Sequence, residues 1–116
     1  MITDQDMSAV FNALSHESRR QVLDILKAEP GLPVGELARR FDVSRIAVMN
    51  HLAVLEQAGL VVSEKQGRLR RLWLNAAPLQ MIQDRWLDQH TEHFARRITG
   101  LKFAAEAAAR KEKDET

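Results

Sequence analysis

The sequence predicts a mainly α fold with a small β-hairpin, and three observations carry that expectation. Apolar residues recur at helical spacing over most of the 116 residues. The period shortens to two only between Leu60 and Leu74, where Gln66-Gly67 divides two β-prone runs. Helix stop and start signals fall at regular intervals, with Pro30-Gly31, Ser44 and Gly59 the clearest. Residues 1–110 are read as a single domain and residues 111–116 as a charged tail that frays in solution.

Thr3 is placed to cap a first amphipathic helix over residues 4–14, whose stripe is Met7, Val10, Phe11 and Leu14. A second helix runs from about His16 to Ala28 through Val22, Leu23, Ile25 and Leu26, and Pro30-Gly31 with Pro33 ends it. Val34 to Phe41 fits a third, short helix with Leu37, Ala38 and Phe41 inward. Asp42-Val43 leaves room only for a tight turn before Ser44, the N-cap of a fourth helix over 44–58. Its inward stripe is Val48, Leu52 and Leu55, and Gly59 stops it. Two helices joined by so few residues form a helix-turn-helix. The hairpin over 60–74 then acts as a wing, so the architecture is a winged helix-turn-helix. Helical spacing returns from Leu79 to about Arg110, with Ile82, Trp86, Phe94, Ile98, Leu101 and Ala105 on one side and Gly100 as a point of bending.

Composition narrows the chemistry. With no cysteine, disulfides, zinc-thiolate sites and cysteine nucleophiles are excluded. No apolar run of membrane-spanning length and no signal-peptide pattern occur, so no membrane partner and a cytoplasmic location are expected. The net charge of +1 hides an asymmetry: Arg39 to Arg71 contains seven basic residues against three acidic ones, and the remainder is net negative. A positive middle segment suits a polyanion, although an ordinary solvated face could carry the same excess. Nucleophile elbows, phosphate-cradling glycine loops and HExxH motifs are absent, so no enzyme is expected.

Four stretches, in this order and spacing, resemble the ArsR/SmtB family of regulators. They are Ala13-Leu-Ser-His-Glu-Ser-Arg-Arg-Gln-Val-Leu-Asp-Ile-Leu26, Val34-Gly-Glu-Leu-Ala38, Ser44-Arg-Ile-Ala-Val-Met-Asn-His-Leu52, and the run from Leu55 through Gly59 to Val62. The resemblance covers residues 9–78 and implies a sequence-specific DNA-binding regulator, by family default a repressor. Met49 stands where the family commonly has a small hydroxyl residue. The cysteine pair of arsenic-sensing members has no counterpart at Val34-Gly35-Glu36. His90 and His93 stand at i, i+3 on a helix, and Asp88-Gln89-His90 matches half of the zinc pattern of other members, but the second half is missing near Leu101. Neither a metal nor a cofactor is therefore expected.

The helix from Ser44 is expected in the major groove of double-stranded DNA, because its stripe commits Val48 and Leu52 to the core and turns Arg45, Ile46, Met49 and Asn50 outward. Arg45 suits guanine or phosphate, Asn50 suits adenine, and Ile46 or Met49 suits a thymine methyl. His51 is expected at the phosphate backbone or in packing. On the wing, Arg68 and Arg70 are expected to reach phosphate or the minor groove, and Arg71 to support the fold through an ion pair. Two-fold operators make a homodimer the expected form. Met7, Val10, Phe11, Ile82, Trp86, Phe94, Ile98 and Leu101 offer its apolar surface, unless they wrap their own subunit. Space beside Trp86 and Phe94 leaves room for an unidentified small-molecule effector. A protein–protein adaptor is the alternative function, but it would not need basic residues on both helix and wing.

Overall fold

The computed structural model describes the backbone of residues 1–87 and 89–115 and the side chains of residues 1–87 and 93–110. The chain divides into two units, Met1–Ile82 and Gln83–Thr116.

The first unit opens with α1 (Asp4–Leu14). A reciprocal capping box starts it: the Asp6 backbone N–H donates to Thr3 Oγ1 at 3.0 Å, and the Thr3 N–H donates to Asp6 Oδ2 at 3.1 Å. Those bonds hold the Asp6 carboxyl below its ordinary range, led by the bond from the Thr3 backbone. Helix α2 (Glu17–Ala28) is capped by His16, whose Nδ1 accepts from the Ser18 N–H. The first two helices meet α4 (Arg45–Gln57). Val10, Ala13, Val22, Leu26, Val48, Leu52 and Leu55 are buried where they converge.

That packing corrects two expectations. Met7 and Val10 were assigned to a dimer interface, yet both are buried within the chain, Val10 completely. The stripe on α1 carries more residues than one face can expose, so its inner members go to the core and Phe11 is left on the outside.

Helix α3 (Val34–Ala38) is shorter than the sequence reading, and the chain from Arg39 to Val43 forms the turn into α4. Ser44 caps α4 as expected, its Oγ accepting from the Ala47 N–H at 3.1 Å. The far end closes in a Schellman arrangement: Leu60 N–H donates to Leu55 O, and Gly59 N–H to Glu56 O. Gly59 takes φ +78, which L side chains rarely adopt, and Leu55 and Leu60 are both fully buried beside it.

The wing is β2 (Val61–Gln66) paired antiparallel with β3 (Leu69–Leu74), joined through Gly67-Arg68. A third strand, β1 (Leu32–Pro33), pairs with β3 on its other edge, so the sheet order is β1-β3-β2. Two residues ahead of a helix carry no period of their own, so the sequence holds no signal for β1. Arg71 secures it by donating to Gly31 O at 3.0 Å and to Gln66 Oε1 at 3.0 Å. Arg71 thus supports the fold as expected, but through neutral acceptors rather than an ion pair.

After the wing, Asn75 ties the chain back to the end of α4, donating from its N–H to Leu60 O and from Nδ2 to Gly59 O. Its Oδ1 accepts from Ala77 N–H at the start of α5 (Ala77–Trp86). Ile82 rests half-buried against the core. Where the spacing suggests one helix from Leu79 to about Arg110, the chain forms α5 and then α6 (Gln89–Glu115). Gly100, the expected bend, lies inside α6 with open space around its Cα. A lone glycine costs a helix about 1 kcal/mol, too little to break one. The residues expected to fray, 111–115, have helical backbone.

Two substitutions test this account by urea denaturation. Leu55→Ala is expected to lower stability by roughly 2–5 kcal/mol through a core cavity. Gly59→Ala is expected to cost about 1–2 kcal/mol through backbone strain, because its new Cβ would meet Pro78 Cγ only at an ordinary 3.5 Å.

Candidate nucleic-acid interface

The outward face of α4 follows from its buried one. With Val48, Leu52 and Leu55 inward, Arg45, Ile46, Met49 and Asn50 fall on the opposite side and all are exposed, Ile46 at 73%. These four are together as expected. Ser44 is exposed at the same end, and its hydroxyl keeps its own proton free to donate while Oγ caps the helix.

The wing reaches the same region through its register. Leu72 is fully buried, and alternation along β3 puts Arg70 on the same side of the sheet, one step beyond the edge of the core. Arg68 continues toward the tip. Arg45 and Met49 of α4, Arg68, Leu69 and Arg70 of the wing, and Pro33-Val34-Gly35 at the β1–α3 junction line one groove of about 280 Å³. Two basic residues from the wing and one from α4 therefore face a common space. Asn50 and Ile46 lie on the open face of α4 outside the groove lining.

Lys65 and Leu69 belong to this surface, although the residue choice from sequence left them out. Lys65 is the cross-strand partner of Arg70. Like charges directly opposite each other destabilise a hairpin, and a polyanion laid across them removes that repulsion. Counting in twos from the inward Leu72 to Arg70, and across the hairpin, would have fixed Lys65; Leu69, an odd number of residues away, is not found by that count.

The basic excess of the middle segment is smaller in effect than in number. Arg40 donates from both terminal nitrogens to Glu29, holding the Glu29 carboxyl below its ordinary range and raising its own pKa. Arg39 pairs with Glu36 at 2.7 Å. Arg71 is committed to the base of the wing, and Arg70 Nε donates to Ser63 Oγ at 3.0 Å. Among the described residues, Arg45, Lys65 and Arg68 have no side-chain hydrogen bond or ion pair, so they are available to a ligand.

His51 is placed differently from its neighbours. It is half-buried on the flank of α4 toward α2, with its ring centroid 4.5 Å from that of His16 and its Nδ1 3.4 Å from Arg19 Nη1. Burial above all, then the fields of His16 and Arg19, push its pKa down. Packing is the role this geometry supports.

Among the described residues no three His, Asp or Glu side chains gather as a metal-holding group. The side chains of Asp88 and His90, half of the partial zinc pattern, lie outside the described residues, and His93 is exposed. No helix among the described residues is long and apolar enough to cross a membrane.

Known proteins share this architecture. A family model described as a helix-turn-helix domain matches residues 14–64. The HTH-type transcriptional regulator YuzN of Bacillus subtilis is 37% identical over 86 residues, 69% of this chain and 94% of the relative. The transcriptional repressor SdpR of the same organism is 34% identical over 64% of this chain and 81% of its own. Among solved structures, an ArsR-like transcriptional regulator from Rhodococcus sp. RHA1 is 35% identical with a TM-score of 0.65, covering 89% of this chain and 93% of that one. An ArsR family transcriptional regulator is 30% identical with a TM-score of 0.66, covering 81% and 95%. The chain therefore belongs to the ArsR family of DNA-binding helix-turn-helix transcriptional regulators.

Proposed function

We propose that the chain is a homodimeric repressor acting in the cytoplasm, which occupies a two-fold operator and reads it with α4 while the wing grips the backbone alongside. The observation that carries this reading is the groove in which Arg45 and Met49 of α4 face Arg68 and Arg70 of the wing. On the open face of α4 beside the groove, Asn50 supplies a donor–acceptor pair for adenine and Ile46 offers apolar contact to a thymine methyl, while within the groove Arg45 reaches guanine or phosphate and Met49 a further methyl. Arg68, Arg70 and Lys65 neutralise phosphates and position the helix without reading sequence. Repression is supported by the name of one relative, the transcriptional repressor SdpR.

Dimerisation is supported by apolar surface that each unit leaves exposed. The first unit exposes Phe11; the second exposes Trp86, Phe94, Ile98 and Leu101, the last at 72%. Phe94, Ile98, Leu101, Ala105 and Ala108 follow one another at 4, 3, 4 and 3 residues along α6, the seam of a helix that pairs with another. A two-fold dimer presents two recognition helices to half-sites one turn of DNA apart, roughly 34 Å.

Fluorescence anisotropy across a salt series, with a duplex selected from a random pool and a scrambled control, tests the DNA reading. Asn50→Ala is expected to lose about 1–3 kcal/mol at one base pair of the selected sequence. Arg70→Ala should weaken both duplexes alike and reduce the salt slope by about one. Equal loss on both duplexes for both variants would contradict the division of labour, and no binding to either would favour a protein–protein adaptor. Sedimentation tests the assembly: Leu101→Lys should move the protein from dimer to monomer at micromolar concentration, and a persisting dimer would place the seam elsewhere.

A further inference from the structure

Arg19 links two elements that do different work. Its Nε donates to Ala13 O at 2.8 Å and its Nη2 to Asn12 O at 3.0 Å, which ties the start of α2 to two carbonyls in the last turn of α1, the second of them also held by Ser15. Two donors suffice for that task. The third nitrogen, Nη1, points at Nδ1 of His51, the residue that directly follows Asn50 on the recognition helix. His16, at the head of α2, lays its ring against the same imidazole.

This contact is attractive in only one protonation state. A guanidinium nitrogen can only donate, so His51 Nδ1 must be bare and the ring proton must sit on Nε2, an assignment made from the hydrogen-bond partners. A second proton would set an N–H against an N–H and a cation against a cation. The groups facing the ring are Arg19 and His16 from the α2 side and the carbonyls of Asn12 and Ala13 behind Arg19. Among the described residues, α3 and β2 bring no charged group to bear on it.

We propose that Arg19 is a positioning residue for DNA reading: it locks the recognition helix to the end of α1 through neutral His51, and a proton on His51 releases the lock, so that specific binding weakens on acidification. The proposal rests on α4 being the DNA-reading helix. The sign follows from linkage. The docked ring holds its proton less tightly than a free imidazole, so the released form gains as pH falls below the ordinary value of about 6.5, and above it pH has no effect. Binding to phosphate alone is not weakened, because added positive charge favours a polyanion. The specificity ratio is therefore the quantity that carries the signal.

The full chain is titrated with a duplex that it enriches from a random pool and with a scrambled duplex, at about pH 7.5 and about pH 5.5. Histidine ring resonances are followed in the free protein, with His51 assigned from His51→Asn. In the wild type the ratio of the two affinities should fall about fivefold at the lower pH, which lies below the ordinary imidazole range. In His51→Asn, whose side-chain oxygen can still accept from Arg19 but takes no proton, the ratio should change less than about twofold, whatever its absolute value. His16→Asn, which keeps a capping oxygen, should retain the fall. Arg19→Met should lower the ratio already at pH 7.5 and move the His51 titration upward, and Arg19→Lys should recover part of both.

A parallel fall in wild type and His51→Asn would overturn the proposal, as would a His51 titration that Arg19→Met leaves in place. Failure to enrich any duplex would overturn the DNA reading itself, while the ring titration would still report on the lock.

Discussion

Burial of Val48, Leu52 and Leu55 is the constraint on which the rest of this molecule depends. Those three side chains fix the rotation of α4 about its own axis, and a turn of one residue would send Met49 inward and Val48 into solvent. Neither helix propensity nor the caps at Ser44 and Gly59 could set that angle, because they act along the axis and not around it. The outward set at Arg45, Ile46, Met49 and Asn50 is thus a by-product of apolar packing. On the proposed function, DNA reading is built on a surface that the core has already oriented.

The sequence reveals this much because the signals for α4 are redundant. Ser44, the stripe and Gly59 each mark the same helix, and the hairpin announces itself through its change of period and Gly67. Legibility fails where a structure has no period or depends on a distant partner. The strand β1 is two residues long and exists only because β3 offers it an edge. Arg19 sits 32 residues from His51, and nothing local distinguishes it from Arg20, which donates to Leu14 O. Met7 and Val10 carry the same apolar character as Phe11. Which of them faces the core is decided by how α1 lies across α2 and α4.

Charge teaches a related lesson. Counting basic residues between Arg39 and Arg71 treats each as equivalent, yet Arg39 and Arg40 are engaged by Glu36 and Glu29, which lie just outside that window. Arg71 is spent on a backbone carbonyl. The side chains left over, at Arg45, Lys65 and Arg68, are few, but they stand around one groove or along its rim. Placement rather than total charge makes this face suited to a duplex, in keeping with a net charge of only +1.

The pairing of β1 with β3 has a mechanical consequence. Leu32 and Pro33 lead directly into α3, and α3 leads through six residues into α4, so the wing's inner strand and the helix-turn-helix share a common hinge post. A wing anchored only through its own hairpin could swing to suit any surface. In this one β3 is paired on both of its edges, with Arg71 as the rivet, and the wing works like a calliper whose jaws are set at a fixed gap. On the proposed mode of binding, such an instrument gauges the width of the groove beside the one it reads. Base pairs that no side chain touches would then influence affinity through the shape they give the duplex.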